Sequence, residues 1–307
     1  MNRISATTQL GFIGIGAMGS RIVRRLLANG YNIRVFNRDR KKAETLIPDG
    51  ATVADTLSAV SKPSKIIFSC LTDDAAVHRV YQAPDGILAY ANPGTIIVEM
   101  STVLPQTSRE LDREAASRNV HFLDVAISGS TSVLEQGMVT LLGGGDPEIF
   151  AAVEPIFKII AKQYFHLGLA GSGTAAKLAV NTLLGAGMQA VAEACVLGER
   201  QGLDRGQLLT VLSKTAVVAP AHVGKLLRAL HEDYGPQFAL QLMNKDFRLI
   251  LETASKLNLT LPVTEAAFRI NSEALALGAD QDYSIVIREM ESRDHNKNVE
   301  EATANQG

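Results

Sequence analysis

The sequence predicts an α/β protein, a doubly wound parallel sheet followed by an all-α domain, with one long helix between them. Three observations carry this. The glycine-rich stretch GFIGIGAMGS (11–20) stands between an apolar run and a helix-patterned segment. Short apolar runs then alternate with helix-patterned segments, the order that builds parallel sheets. From about residue 170 the strand-like runs stop, and Ala- and Leu-rich segments take over.

In chain order, Gln9 to Ile13 is a short apolar run suited to a buried strand, and SRIVRRLLANG places Ile22, Val23, Leu26 and Leu27 at helical spacing before Gly30. The strand YNIRVF follows, then a polar helix from Arg40, KIIFSC (65–70), a helix from Asp73, TIIVEM (95–100), a helix over 104–118 and HFLDVAIS (121–128). MVTLLGGG and a segment near YFHLG extend the sheet. The glycines at 143–145 read as a turn into a helix, because Asp146, Pro147 and Glu148 are an N-cap, a first-turn proline and a first-turn acid. Residues 171–201 form the long helix; 204–213, 220–231, 240–257, 262–277 and 282–292 are also helical in pattern, and the polar tail 293–307 predicts disorder. The expected division is a Rossmann-type dinucleotide-binding domain (1–169) and a helical substrate and oligomerisation domain (170–292).

Composition narrows the function. With 30 basic and 32 acidic residues, the net charge of −2 excludes a strong general attraction to nucleic acid or anionic membrane. No apolar run reaches the roughly 18 residues of a membrane span, and MNRISATT lacks the apolar core of a secretion signal, so a soluble cytoplasmic protein is expected. Cys70 and Cys195 have no metal-ligand spacing and read as buried thiols in a reducing compartment. The six histidines make no ligand pattern, and metal-free chemistry is the expectation.

The glycine-rich turn has the strand and helix that a dinucleotide site needs. Gly14 makes the tight turn, Gly16 admits a diphosphate to the backbone, and Gly19 lets helix and strand pack. The anion then meets the helix N-terminus at Ala17 and Met18. An acidic residue at the end of the second strand serves the ribose of NAD. Here Asn37 and Arg38 stand instead, an amide and a guanidinium that can fork onto a 2′-phosphate, with Arg40, Lys41 and Lys42 adding positive potential. NADP(H) is therefore the expected cofactor. Asp39 either reaches the ribose and admits NAD, or caps the helix that starts at Arg40.

Ligands of such sheets bind beyond the carboxyl ends of the strands. Leu71, Thr72 and Asp73, then Ser101 and Thr102, then Ser128, Gly129, Ser130 and Thr131 occupy those positions. The last loop offers hydroxyls and backbone N–H groups to a carboxylate, or is a hydroxyl-rich turn. On the long helix Lys177 and Asn181 share a face among Ala, Leu and Val. Lys177 either snorkels to water or is partly desolvated and fitted for proton transfer to a carbonyl oxygen.

GFIGIGAMG, ST at 101–102, SGS at 128–130, GSGTAAKLAVN at 171–181 and FALQLMNKD at 238–246 together resemble the β-hydroxyacid dehydrogenase family over residues 9–292. The resemblance implies that Lys177 is the catalytic acid/base with Asn181 as its helper. It further implies that Ser128, Gly129 and Ser130 grip a substrate carboxylate with Thr102 nearby, and that Phe238, Lys245 and Asp246 close the site, Lys245 towards the cofactor. A homodimer or homotetramer through the α domain is also implied. Where the family loop reads D-A-P-V-S-G-G this chain has Asp124-Val125-Ala126-Ile127-Ser128-Gly129-Ser130, and Thr182 stands where a second Asn is common. SGS with Asn37-Arg38 is closer to the NADPH-dependent glyoxylate/succinic semialdehyde reductases than to NAD-dependent 3-hydroxyisobutyrate or tartronate semialdehyde enzymes. Imine reductases, which usually lack the helix lysine, and a non-catalytic NADP-binding interaction protein are the competing readings.

Overall fold

A computed structural model describes residue 5 and residues 7–293 of the chain, in two compact units, Met1–Leu178 and Ala179–Gly307. The expected disordered tail lies outside the described residues apart from Arg293, which is helical.

The first unit alternates strands and helices: β1 (Gln9–Ile13), α1 (Ala17–Ala28), β2 (Asn32–Phe36), α2 (Arg40–Glu44), β3 (Thr52–Val53), α3 (Leu57–Ser61), β4 (Ile66–Ser69), α4 (Asp74–Gln82), α5 (Ile87–Tyr90), β5 (Ile96–Glu99), α6 (Pro105–Ser117), β6 (His121–Ser128), α7 (Thr131–Glu135), β7 (Val139–Gly145), α8 (Pro147–Ile160) and β8 (Ala161–His166). The sheet order is β3-β2-β1-β4-β5-β6-β7-β8. Alternate strand residues enter opposite layers. Phe12, Phe68 and Val98 meet Ile22, Val23 and Leu26 of α1 on one face, while Ile13, Ile67 and Ile97 meet Val60, Val77 and Leu111 on the other. Both faces are therefore covered, which is why the strands read as continuous apolar runs rather than alternating ones.

The doubly wound sheet carries one local reversal, and one expectation needs correction. The sheet is mostly but not wholly parallel: β7 runs antiparallel to β6, and β8 is parallel to β7. Gly143, Gly144 and Gly145 belong to β7 rather than to a turn, with Gly144 paired to Asp124. A side chain at Gly143 would lie 2.1 Å from Phe150, and one at Gly144 2.6 Å from an Asp124 oxygen, so close packing explains these two, while Gly145 takes a positive φ of +129° as the strand ends. Asp146 does cap α8, accepting from Glu148 and Ile149 N–H. Sequence patterning passed over the short elements β3, α3 and α5, which carry too few residues to show a period.

The long helix α9 (Ser172–Arg200) begins in the first unit and continues into the second, followed by α10 (Arg205–Leu212), α11 (Pro220–Ala229), α12 (Leu240–Lys256) and α13 (Pro262–Gly278). A 3₁₀ turn at Tyr283–Ile285 then leads into helical backbone over 286–293. By length and composition α9 could cross a membrane. The averaged window tolerates the Gly, Thr and Asn that keep any uninterrupted apolar run short, and the core helix of a soluble protein meets the same criterion. Only 33% of that window is buried, and Val180, Leu183 and Leu197 are exposed along it. Cys195 is buried as expected, its thiol pushed up to about 12 by burial and then by Glu199; Cys70 is only partly buried.

Candidate active site

β1, β2, β4, β5 and β6 are parallel, so their carboxyl ends share one edge, and the strand order reverses between β1 and β4. A ligand crevice belongs at that reversal. Gly14 follows β1 with φ +94°, and a side chain there would lie 2.2 Å from the Cys70 carbonyl oxygen. One at Gly19 would lie 2.1 Å from the Gly14 carbonyl, whereas Gly16 has open space around it. Two glycines are thus required by packing, and the third leaves room for a ligand against the backbone. Helix α1, starting at Ala17 and Met18, has no side-chain cap, so its first N–H groups suit a diphosphate. These residues fit a dinucleotide.

At the end of β2, Asn37 Oδ1 accepts from Ile15 N–H (2.9 Å) while its amide donates to the Asp39 carbonyl (2.9 Å). Asn37 therefore braces the glycine-rich turn. Arg38 is exposed, and among the described residues no side chain holds its guanidinium. Asp39 caps α2 by accepting from Lys41 N–H. Arg40 is not a free positive charge, being paired with Glu44 (2.7 Å) and Asp55, and Lys42 is exposed.

Beyond β4 and β5 the two loops are tied together: Leu71 N–H donates to Ser101 Oγ (2.7 Å), and Ser101 N–H to Glu99 Oε1 (2.6 Å). Glu99 also accepts from Ser69 Oγ and from Tyr81 OH. Burial, offset in part by these bonds, raises the Glu99 carboxyl above its ordinary value. Thr72 is exposed, its hydroxyl 3.2 Å from Asp73 Oδ2, and Thr102 is half-buried.

Beyond β6, Gly129 has φ +145° with Val139 against it. Ser130 bonds the Ser132 hydroxyl (2.9 Å) and caps α7, so its hydroxyl already has local partners, while Ser128 is half-buried at the strand's end. Lys177 is half-buried one turn into α9. At the start of the same helix, Asp124 of β6 accepts from Gly171 N–H (2.8 Å), Thr174 N–H (2.8 Å) and Thr174 Oγ (3.1 Å). Burial raises this carboxyl against those bonds.

In the second unit Asn181 is fully buried and donates to Asp246 Oδ2 (2.6 Å), and Lys245 Nζ lies 3.0 Å from Asp246 Oδ1. Phe238 precedes α12. Its N–H donates to Asp282 Oδ2 (3.1 Å), which also takes Lys225 Nζ (2.6 Å), and its ring meets Tyr283 edge-on. Sequence reasoning missed Glu99, Lys225 and Asp282, and met Asp124 only as the first residue of the family loop, with no role assigned to it. For Glu99 and Asp124 the available signal was an ionisable residue inside an otherwise apolar run, since such residues are almost never fully buried unless paired; Asp282 stands in the polar stretch ADQDYS and carried no such signal.

Comparison with known proteins decides the family. Residues 9–168 match the NAD binding domain of 6-phosphogluconate dehydrogenase, and residues 171–290 match the family described as NAD-binding of NADP-dependent 3-hydroxyisobutyrate dehydrogenase. The chain is 32% identical to 2-(hydroxymethyl)glutarate dehydrogenase of Eubacterium barkeri, covering 91% of this chain and 94% of that one. The chain belongs to the β-hydroxyacid dehydrogenase family. β-Hydroxyacid dehydrogenases are NAD(P)-dependent enzymes acting on CH–OH groups. Also similar is glyoxylate/succinic semialdehyde reductase 1 of Arabidopsis thaliana, 33% identical over 91% of this chain and 97% of that one. Cytokine-like nuclear factor N-PAC of Xenopus tropicalis is 32% identical over 94% of this chain, which spans 54% of that protein. Among solved structures, Mycobacterium tuberculosis 3-hydroxyisobutyrate dehydrogenase with L-serine superposes with a TM-score of 0.84 at 27% identity, covering 92% of this chain and 98% of that one.

Proposed function

We propose that the protein is an NADP(H)-dependent reductase of a small aldehyde or oxo acid, running in reverse as a β-hydroxyacid dehydrogenase. The observation that carries the cofactor preference is Arg38, exposed beside the carboxyl end of β2 with no side chain among the described residues holding its guanidinium, while Asp39 gives one carboxylate oxygen to the cap of α2. A guanidinium there favours a 2′-phosphate and an acidic residue would repel it. The bound nicotinamide supplies or accepts the hydride. The Ser128–Gly129–Ser130 loop takes the substrate carboxylate, chiefly through Ser128 and backbone N–H groups, because the Ser130 hydroxyl is already engaged. Fixing that carboxylate turns an encounter into an oriented attack. Lys177 transfers a proton to or from the oxygen that alternates between carbonyl and hydroxyl, and Asn181 follows it by one turn of α9.

A second reading, a dinucleotide-binding protein that works through an interaction, draws on the similarity to N-PAC. A panel of glyoxylate, succinic semialdehyde, methylmalonate semialdehyde and tartronate semialdehyde with NADPH and NADH separates the two. Turnover of one of these with NADPH preferred is expected; tight NADPH binding with no turnover across the panel would favour the second reading.

A further inference from the structure

The joint between β6 and α9 is built around one carboxylate. Asp124 is fully buried, and its two oxygens receive Gly171 N–H, Thr174 N–H and the Thr174 hydroxyl. The first turn of a helix carries N–H groups without helical partners, and a carboxylate there also meets the positive end of the helix dipole. Asp124 thus caps α9 from a neighbouring strand. The fit is close: a side chain at Gly173 would lie 2.4 Å from the Leu142 carbonyl oxygen and 2.5 Å from that of Asp124. The helix start rests on the backbone of β6 and β7, where nothing but glycine fits.

Two consequences follow from position. Thr174 and Lys177 are three apart, so the face of α9 turned to β6 at Thr174 is the face that carries Lys177. Asp124 and Ser128 lie four residues apart on β6, which itself leads into the carboxylate loop. One side chain therefore couples the strand that presents the substrate loop to the helix that presents the lysine.

We propose that Asp124 is a positioning residue of the reaction, acting through Lys177 by setting the start and rotation of α9 against β6. This rests on the reading of Lys177 as the acid/base. Misplacement of a reacting group by about 1 Å costs on the order of 10²-fold in rate, so a joint with no slack protects turnover directly.

The test uses the full chain as wild type, Asp124→Asn, Lys177→Ala and the double variant. In Asp124→Asn an amide N–H would face a backbone N–H. The expected result is a loss in kcat on the order of 10²-fold with the NADPH dissociation constant unchanged, and a double variant no slower than Lys177→Ala alone, since residues acting through one another are non-additive. Trace acetylation read by mass spectrometry gives an activity-free measure: labelling of Lys177 should change in Asp124→Asn while that of Lys162 on β8 does not. Thr174→Val, which keeps the backbone bond and removes the hydroxyl bond, should show a smaller change of the same kind and carries the test if Asp124→Asn fails to fold. Losses that multiply in the double variant, or unchanged Lys177 labelling, would overturn the proposal. If Lys177→Ala itself turns over like wild type, the acid/base reading falls instead.

Discussion

At Arg38 a single side chain separates two cofactors. Its guanidinium is exposed and among the described residues has no side-chain partner, whereas the neighbouring Arg40 is neutralised by Glu44 and Asp55. Hydrogen bonds to charged groups contribute about 1.5–3 kcal/mol. Arg38→Ala should therefore raise KM for NADPH by roughly 10- to 100-fold and leave KM for NADH nearly unchanged, as read by steady-state kinetics with each cofactor. A parallel rise for both would place Arg38 elsewhere than at the 2′-phosphate. The motif was legible in sequence because glycine spacing and charge type are local properties. That Asn37 spends both its amide oxygen and an N–H on the protein backbone was not, since it depends on a turn 22 residues away.

At the scale of elements, buried carboxylates tie segments that patterning treats separately. Glu99 holds the ends of β4 and β5 and the Tyr81 hydroxyl of α4. Its carboxyl is raised in the folded protein by burial, so the native state holds that proton more tightly than the unfolded chain. Its contribution to stability is complete below the ordinary value of 4.5 and is lost as pH rises through the folded value. Glu99→Gln removes this titration. Thermal unfolding from pH 4 to 8 should show the variant gaining on wild type as pH rises above about 4.5, and a constant difference would contradict the account. The alternation of strands and helices and the long helix were readable from period and composition. The reversal of β7 and the glycines inside it were not, because the reversal is a pairing with β6, Gly143 and Gly144 pack against Phe150 and Asp124, and Gly145 takes a positive φ.

For the whole molecule, the exposed side of α9 offers Val180, Leu183 and Leu197 to solvent, Leu183 at 77% exposure. Residues so apolar on a helix of 29 residues suit burial by a second copy, and a homo-oligomer through this helix is the arrangement we propose. Leu183→Glu should lower the mass seen by light scattering at micromolar concentration, and a wild-type monomer would contradict the proposal. Turnover itself is proposed to depend on Lys177 moving the proton. The most direct test is kcat for NADPH oxidation by wild type and Lys177→Ala with the best carbonyl acid of the panel, beside NADPH affinity measured by calorimetry. In the variant kcat should fall by on the order of 10²–10⁴ with affinity unchanged; comparable turnover would remove Lys177 from the proton transfer.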